Sequence, residues 1–358
     1  MIPLESESKK YQKIFSFSKF PIDIDKHRRV QIRAQDTNMS VLATHQLVID
    51  GDIKGLKQIL SVNPDLILER NSKDNNLLML ASRFGHVKIV KYLIEQNRIN
   101  INERNEERYT ALIYSCIEGH TEIAEILVKN GANVNVKGRN GNTPLIFSCM
   151  GKHIDCVRVL LQNKVDIQDR NTAGYTALMV AGAEGATLIF NLLMENGARG
   201  TDRDINGTSI LMKCCQTGNI AIAKLLIEKG KCDITEVNKK DGNSILHYAA
   251  ESGILELVEF IVNKDPKLIN TQNSIGETCL MTAIRSANIP VANYLVKHDE
   301  CNVAIKNHAF NSALMICTYK KKAAEGTAIE ALLCELCDLI CERQIVLSSQ
   351  AKANKFKI

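Results

Sequence analysis

Tryptophan is absent from the 358 residues, aromatic side chains make up only 5%, and there are six prolines. With 45% hydrophobic residues, the apolar mass must come from Leu, Ile, Val and Ala, which favours closely packed helices over a β-sandwich. No apolar run approaches the roughly 20 residues that a membrane-spanning helix needs. The opening stretch MIPLESESKK has no apolar segment and carries Glu5 and Glu7, which argues against a secretory signal and against an acid-poor transit peptide. The expectation is therefore an intracellular, cytoplasmic chain whose twelve cysteines are reduced thiols rather than a disulfide framework. Catalytic signatures are missing too. There is no Walker-type phosphate loop, HExxH, GxSxG, kinase set or strand-linked dinucleotide fingerprint, so neither an enzyme nor a cofactor is expected.

The charge that is present is uneven. Of the net +5, residues 1–38 and residues 342–358 each carry a surplus of three, leaving the body close to neutral. Any acidic partner is thus expected to meet the ends. An acidic lattice such as tubulin suits such ends, as does anionic lipid. Nucleic acid is the weakest option, because no reader fold is recognisable.

What fills the body is a repeat. A Leu with a small polar residue two positions earlier recurs at Leu78, Leu112, Leu145, Leu178, Leu211, Leu246, Leu280 and Leu314, at spacings of 33 to 35 residues. That Thr, Ser or Asn suits a helix N-cap. Seven residues after each Leu stands a turn residue, namely Gly85, Gly119, Lys152, Gly185, Gly218, Gly253, Ala287 and Lys321, where glycine best ends a helix in the left-handed conformation. A second apolar stripe follows, such as Ile89, Val90, Leu93 and Ile94, and then a polar stretch read as a β-turn or hairpin. No unit of this size buries its own stripes, so neighbours must stack into a solenoid.

The unit GNTPLIFSCMGKHIDCVRVLLQNKVDIQDRN resembles the ankyrin repeat, with its TPLH, GH, double-Leu helix and D/N-rich hairpin. The resemblance implies an all-α repeat protein, an ankyrin-type solenoid of helix-turn-helix units with β-turn connections. It would comprise a degenerate first unit at 40–70 and eight further units over 74–341, between a basic, Phe-containing arm at 1–39 and a short basic tail at 342–358. Departures are visible. Proline precedes the Leu only at Pro144, the His after it survives only as His247, and Asp74, Arg108 and Phe310 replace the hairpin glycine. An insertion of about four residues near KKKAAEGT sets apart the last unit, with its second helix at Ala328–Cys341.

Several residues invite a chemical reading. Cys116, Cys149, Cys214, Cys215 and Cys317 occupy slots where other units place Ala, Ser or Gly, and read as small hydrophobes. Cys334, Cys337 and Cys341 share one helical face with metal-like spacing, but a closed zinc site lacks a fourth ligand unless His308 supplies it, so no metal is expected. His86, His120 and His153 recur at one turn position, and the resemblance implies hydrogen bonds to neighbouring loops. Arg70, Arg104, Lys137, Arg170, Arg203 and Lys306 form a ladder, interrupted at Asn238 and Gln272, that reads as a solvated hairpin edge or as a stripe facing an acidic partner.

Protein binding through a concave face is the function the resemblance implies. Family contact positions map onto a patch in the first four full units, made of Arg83, Phe84, Glu107, Tyr109, Ile117, Arg139, Met150 and Tyr175. Aromatic and Met side chains ringed by charge are what an interface hot spot requires. The alternative is that some of them fold inward. A separate docking arm is read at Phe15, Phe17 and Phe20, followed by Arg28 and Arg29. A protein-binding scaffold is the leading expectation, and a structural subunit of a cytoskeletal or ciliary assembly anchored by the basic ends is the alternative.

Overall fold

A computed structural model describes residues 37–355 apart from Lys231. The arm residues Phe15, Phe17, Phe20, Arg28 and Arg29 lie outside the described residues. Within them the chain forms eighteen α-helices in nine pairs, three short 3-10 turns and no strand. The pairs are α1 (Thr37–Ile49) with α2 (Ile53–Val62), α3 (Leu77–Arg83) with α4 (Val87–Glu95), and α5 (Ala111–Glu118) with α6 (Thr121–Lys129). Next come α7 (Pro144–Met150) with α8 (Ile154–Leu161), α9 (Ala177–Ala183) with α10 (Thr187–Glu195), and α11 (Ile210–Thr217) with α12 (Ile220–Glu228). The last three are α13 (Ile245–Ser252) with α14 (Leu255–Lys264), α15 (Cys279–Arg285) with α16 (Ile289–Lys297), and α17 (Ala313–Ala323) with α18 (Ala328–Lys355). Each first helix packs on the next first helix, and from α4 onward each second helix packs on the next second helix.

Local chemistry sets the helix ends. Asn76, Thr110, Thr143, Thr176, Ser209, Thr278 and Ser312 each accept a hydrogen bond from the backbone N–H three residues on, as expected of N-caps. Ser244 does the same in a capping box closed by His247. The turn glycines are left-handed, and so are the non-glycine substitutes Lys152 (φ 59°) and Ala287 (φ 58°). Lys321 departs from this pattern. It lies inside α17, which runs on to Ala323, and the left-handed residue is Gly326 (φ 78°), so the insertion lengthens the helix and delays the turn. The polar connections are β-turns with isolated bridges only, at Arg203–Ser209, Val237–Ser244 and Lys306–Ser312. Asp74, Arg108 and Phe310 keep the left-handed backbone despite their side chains. The helix break expected after Cys341 is also absent, because α18 continues through Lys355. Arg343 pins it to the α16 end by donating to the carbonyls of His298 (3.1 Å) and Asp299 (2.6 Å).

The core runs the length of the array. Cys116, Cys149, Cys214, Cys215 and Cys317 are wholly buried in it, as expected of small hydrophobes. Burial pushes the Cys116 thiol up to about 12, which keeps it protonated and unreactive.

Units are joined at the turns. The last carbonyls of a helix have no partner within it. Here the next unit provides one. His86 bonds the Ile49 carbonyl (2.9 Å), His120 that of Arg83 (3.1 Å) and His153 that of Ile117 (3.0 Å). Asn219 does the same for Gly182 and Ala183, and Asn288 for Ala250 and Glu251. Each of these side chains lies where a Cβ on the preceding turn residue would stand, at 2.7 Å or less for Gly51, Gly85, Gly119, Gly185 and Gly253. The turn glycine therefore serves two ends, a left-handed φ and room for the neighbour. At Lys152 that room is gone, and the next unit has Ala186 in place of His or Asn.

Two predictions follow from these contacts. Ala186→His alone crowds Lys152 and lowers stability by about 1–3 kcal/mol. Lys152→Gly relieves the left-handed strain, and combined with Ala186→His it restores or exceeds the parent melting temperature, a coupling that a double-mutant cycle by thermal denaturation measures. Separately, burial holds His45 and His247 below the ordinary 6.5 in the folded chain. Folded pKa values below the unfolded ones mean stability that is complete above pH 6.5 and is lost as pH falls beneath it. Melting temperature should drop between pH 7 and 5.5, and less steeply in His45→Gln.

Candidate partner-binding surface

The residues expected to form one patch fall into three groups. The first lies at the ends of the stacked helices α3, α5 and α7, where Arg83, Phe84, Ile117 and Met150 are all half-buried. The Arg83 guanidinium stands 5.8 Å from the Phe84 ring centroid and 5.6 Å from that of Tyr114, with Glu118 at 3.8 Å from its Nε. An arginine laid over two rings with a carboxylate beside it is held in one orientation. The rigid row of Arg83, Phe84, Ile117 and Met150 thus keeps apolar area in contact with solvent.

The second group lies at the hairpin tips. Glu107 and Arg139, from successive units, pair at 3.6 Å while staying half or more exposed. They line a cleft of about 520 Å³ together with Glu106, Arg108, Lys137, Gly138, Asn140, Gly141 and Thr172. Both signs of charge converge there with backbone. Gly138, a residue type that carries no chemical signal in the sequence, forms part of the cleft's wall.

The third group corrects the expected patch. Tyr109 is only 7% exposed. Its ring packs edge-on against Tyr114 and Phe147, each at 5.5 Å between centroids, and burial raises its hydroxyl to about 12. It offers no face to a partner. The reason is visible one unit on. In the other units an Asx residue opens the turn, and Asn105, Asn171 and Asn273 donate to Asn75, Asn142 and Asn243 of the preceding unit at 2.7–2.9 Å. The equivalent residue opposite Tyr109 is Gly138, and a Cβ there would stand 2.8 Å from the Tyr109 ring. With φ of −84°, Gly138 is required for space and not for backbone conformation. Tyr175 is half-buried and turns toward α11, with the Lys213 ammonium 5.9 Å from its ring centroid. It therefore stands apart from the Phe84 row.

The basic ladder is largely turned on the scaffold itself. Arg70 reaches Glu103 (2.8 Å) and the carbonyls of Asp74 and Arg104. Arg170 likewise bonds Asp202 and the carbonyls of Gly174 (3.1 Å) and Arg203 (2.6 Å). Lys137 pairs with Asp169, and Arg203 with Glu236. Gln272 interrupts the charge but keeps the geometry, donating to Gly276 (2.7 Å) and to the Lys306 carbonyl (3.1 Å). The ladder rivets successive turns more than it faces a partner. Among the described residues no group of three His, Cys, Asp or Glu side chains is placed to hold a metal. Cys334 and Cys337 are half-buried and Cys341 is exposed.

Fold and surface together define a stacked helix-pair solenoid, a class that presents side chains from rigid, repeated units. A family model described as ankyrin repeats (3 copies) matches residues 44–138, 134–204 and 183–270, and one described as ankyrin repeats (many copies) matches 246–296. The chain belongs to the ankyrin-repeat family. Among solved structures, the human ASB11 ankyrin repeat domain superposes with a TM-score of 0.55 at 21% identity, covering 64% of this chain and 98% of that one. Among curated proteins, the mouse serine/threonine-protein kinase TNNI3K is 28% identical over 25% of this chain and 11% of its own length. The human NAD-capped RNA hydrolase NUDT12 is 36% identical over 23% of this chain and 18% of its own. The human BCL-6 corepressor-like protein 1 is 36% identical over 19% and 4%. The chain thus spans under a fifth of each of these relatives. No helix among the described residues is long and apolar enough to cross a membrane.

The Tyr109–Gly138 contact is testable. Gly138→Asn, which restores the residue type of the other turns, should destabilise the array by about 1–3 kcal/mol, and adding Tyr109→Asn should recover most of the loss. Thermal denaturation of the parent and both variants measures both effects.

Proposed function

We propose that this chain is a non-enzymatic protein-binding scaffold acting inside the cell, and that its partner docks on the first four full units. The ankyrin-repeat family generally mediates protein–protein interaction, which supports the class of function. The observation that carries the placement is the row of half-buried Phe84, Ile117 and Met150 at the ends of three stacked helices, oriented beside the Arg83–Glu118 pair. Such side chains lose little entropy on binding because stacking already holds them. The hairpin cleft with the exposed Glu107–Arg139 pair supplies polar selection. Tyr109 contributes by shaping that cleft from behind. The basic arm adds a second contact to any partner that is acidic.

Proximity labelling with the full chain, set beside a chain lacking residues 1–38, identifies the partner and the arm's share. The combined Phe84→Ala, Ile117→Ala and Met150→Ala variant should then bind the purified partner at least tenfold more weakly by calorimetry, with helical content unchanged. Unchanged affinity in a folded variant would move the interface elsewhere.

A further inference from the structure

Spacing along the chain groups Cys334, Cys337 and Cys341 on one helical face, but packing brings a different set of thiols together. Cys317 on α17 is wholly buried, and its thiol donates to the Leu333 carbonyl of α18 at 3.5 Å. Within a helix the carbonyl of residue 333 points at the N–H of residue 337. The Cys317 sulfur is thereby set beside Cys337, which is half-buried, and the two thiols meet. One turn further along α17, the Lys321 ammonium lies beside Cys334, three residues before Cys337 on α18. The two helices thus carry two rungs, a thiol pair and a lysine–thiol pair. Close thiols elsewhere, such as Cys116 with Cys149 and Cys279 with Cys301, are buried on both sides, so an oxidant from solvent meets neither member. At the Cys317–Cys337 rung one thiol is partly open to solvent. The other needs no access, because its target is its neighbour.

We propose that Cys317 and Cys337 form a peroxide-responsive dithiol that closes into a disulfide between α17 and α18. The substrate class is a small hydroperoxide, and hydrogen peroxide is of a size that a half-buried thiol admits. The Cys337 sulfur, as thiolate, attacks one peroxide oxygen. An S–O bond forms, the O–O bond breaks, and the leaving oxygen departs with the thiol's proton as water or an alcohol. Cys337 is then a sulfenic acid. The Cys317 sulfur attacks that sulfur, the S–O bond breaks, and hydroxide leaves with the Cys317 proton as water. Two thiols are oxidised by two electrons in all, and one peroxide is reduced. Burial sets the order of attack. It holds the Cys317 thiol well above its ordinary range, with Cys337 beside it adding to the rise, so Cys317 stays protonated until its neighbour is oxidised. The second step then has the advantage of a reaction between groups already in place. Cys334, engaged by Lys321, stands outside the link.

Mass spectrometry of the reduced full chain, treated under native conditions with a small excess of hydrogen peroxide, tests this. The expected product is a Cys317–Cys337 cross-link that dithiothreitol undoes and that forms equally in Cys334→Ser and in Cys341→Ser. Cys317→Ala installs the residue that Ala81, Ala181, Ala249 and Ala283 hold at this register in other units, so the variant should fold. In it Cys337 should stop at the sulfenic acid and take up dimedone at least tenfold more than in the parent. A parent in which Cys317 and Cys337 remain thiols overturns the proposal, as does a link that forms only in denaturant. A cross-link running through Cys334 or Cys341 instead gives the chemistry to other thiols and overturns it equally. Absence of dimedone uptake at Cys337 in Cys317→Ala refutes the order of attack.

Discussion

The structure depends on a contact between neighbours, in which the turn after one first helix is closed by a side chain of the next unit. A pair of helices of seven to ten residues leaves carbonyls unsatisfied at the end of the first and apolar residues bare on both. One histidine or asparagine answers the first need, and it can approach only because the turn residue has no Cβ. Hydrogen bonding and burial are thereby made at one place, and neither is available to a unit alone. Stability of the array is then close to a sum over such junctions.

The junctions are not identical, and their differences are paired. Where the turn is Lys152, the following unit offers Ala186. Where a tyrosine stands at position 109, the following turn opens with Gly138 in place of asparagine. In both cases a bulky residue on one unit is met by a small residue on the next, and the helix stacking continues without a shift in register. These compensations act between residues about 30 positions apart, so they can be recognised only with the stacking in view.

For function, the consequence is that the half-buried Phe84, Ile117 and Met150 are held in place by the core they pack against. Arg83, Phe84, Ile117 and Met150 project from helices whose buried sides are fully engaged, and the Glu107–Arg139 pair sits on turns that the basic ladder rivets together. One repeat frame can thus carry different side chains at its surface, the property that lets a shared fold serve unrelated functions.

Much of this was legible in one dimension. The leucine register, the capping hydroxyls and the turn glycines are local signals, since each acts within a helix turn of itself, and they settled the repeat, its helix pairs and the burial of cysteines in small-residue slots. The sequence likewise placed Phe84, Ile117 and Met150 on helix ends. It could not tell that Tyr109 points inward while Phe84 does not, because that is decided by whether the neighbouring unit has a cavity to receive the ring. Nor could it tell that α17 absorbs the insertion, that α18 runs past Cys341, or that the ladder's charges are spent on adjacent turns. Those outcomes depend on what lies 30 or more residues away in the chain and a few ångströms away in space, and only stacking brings the two together.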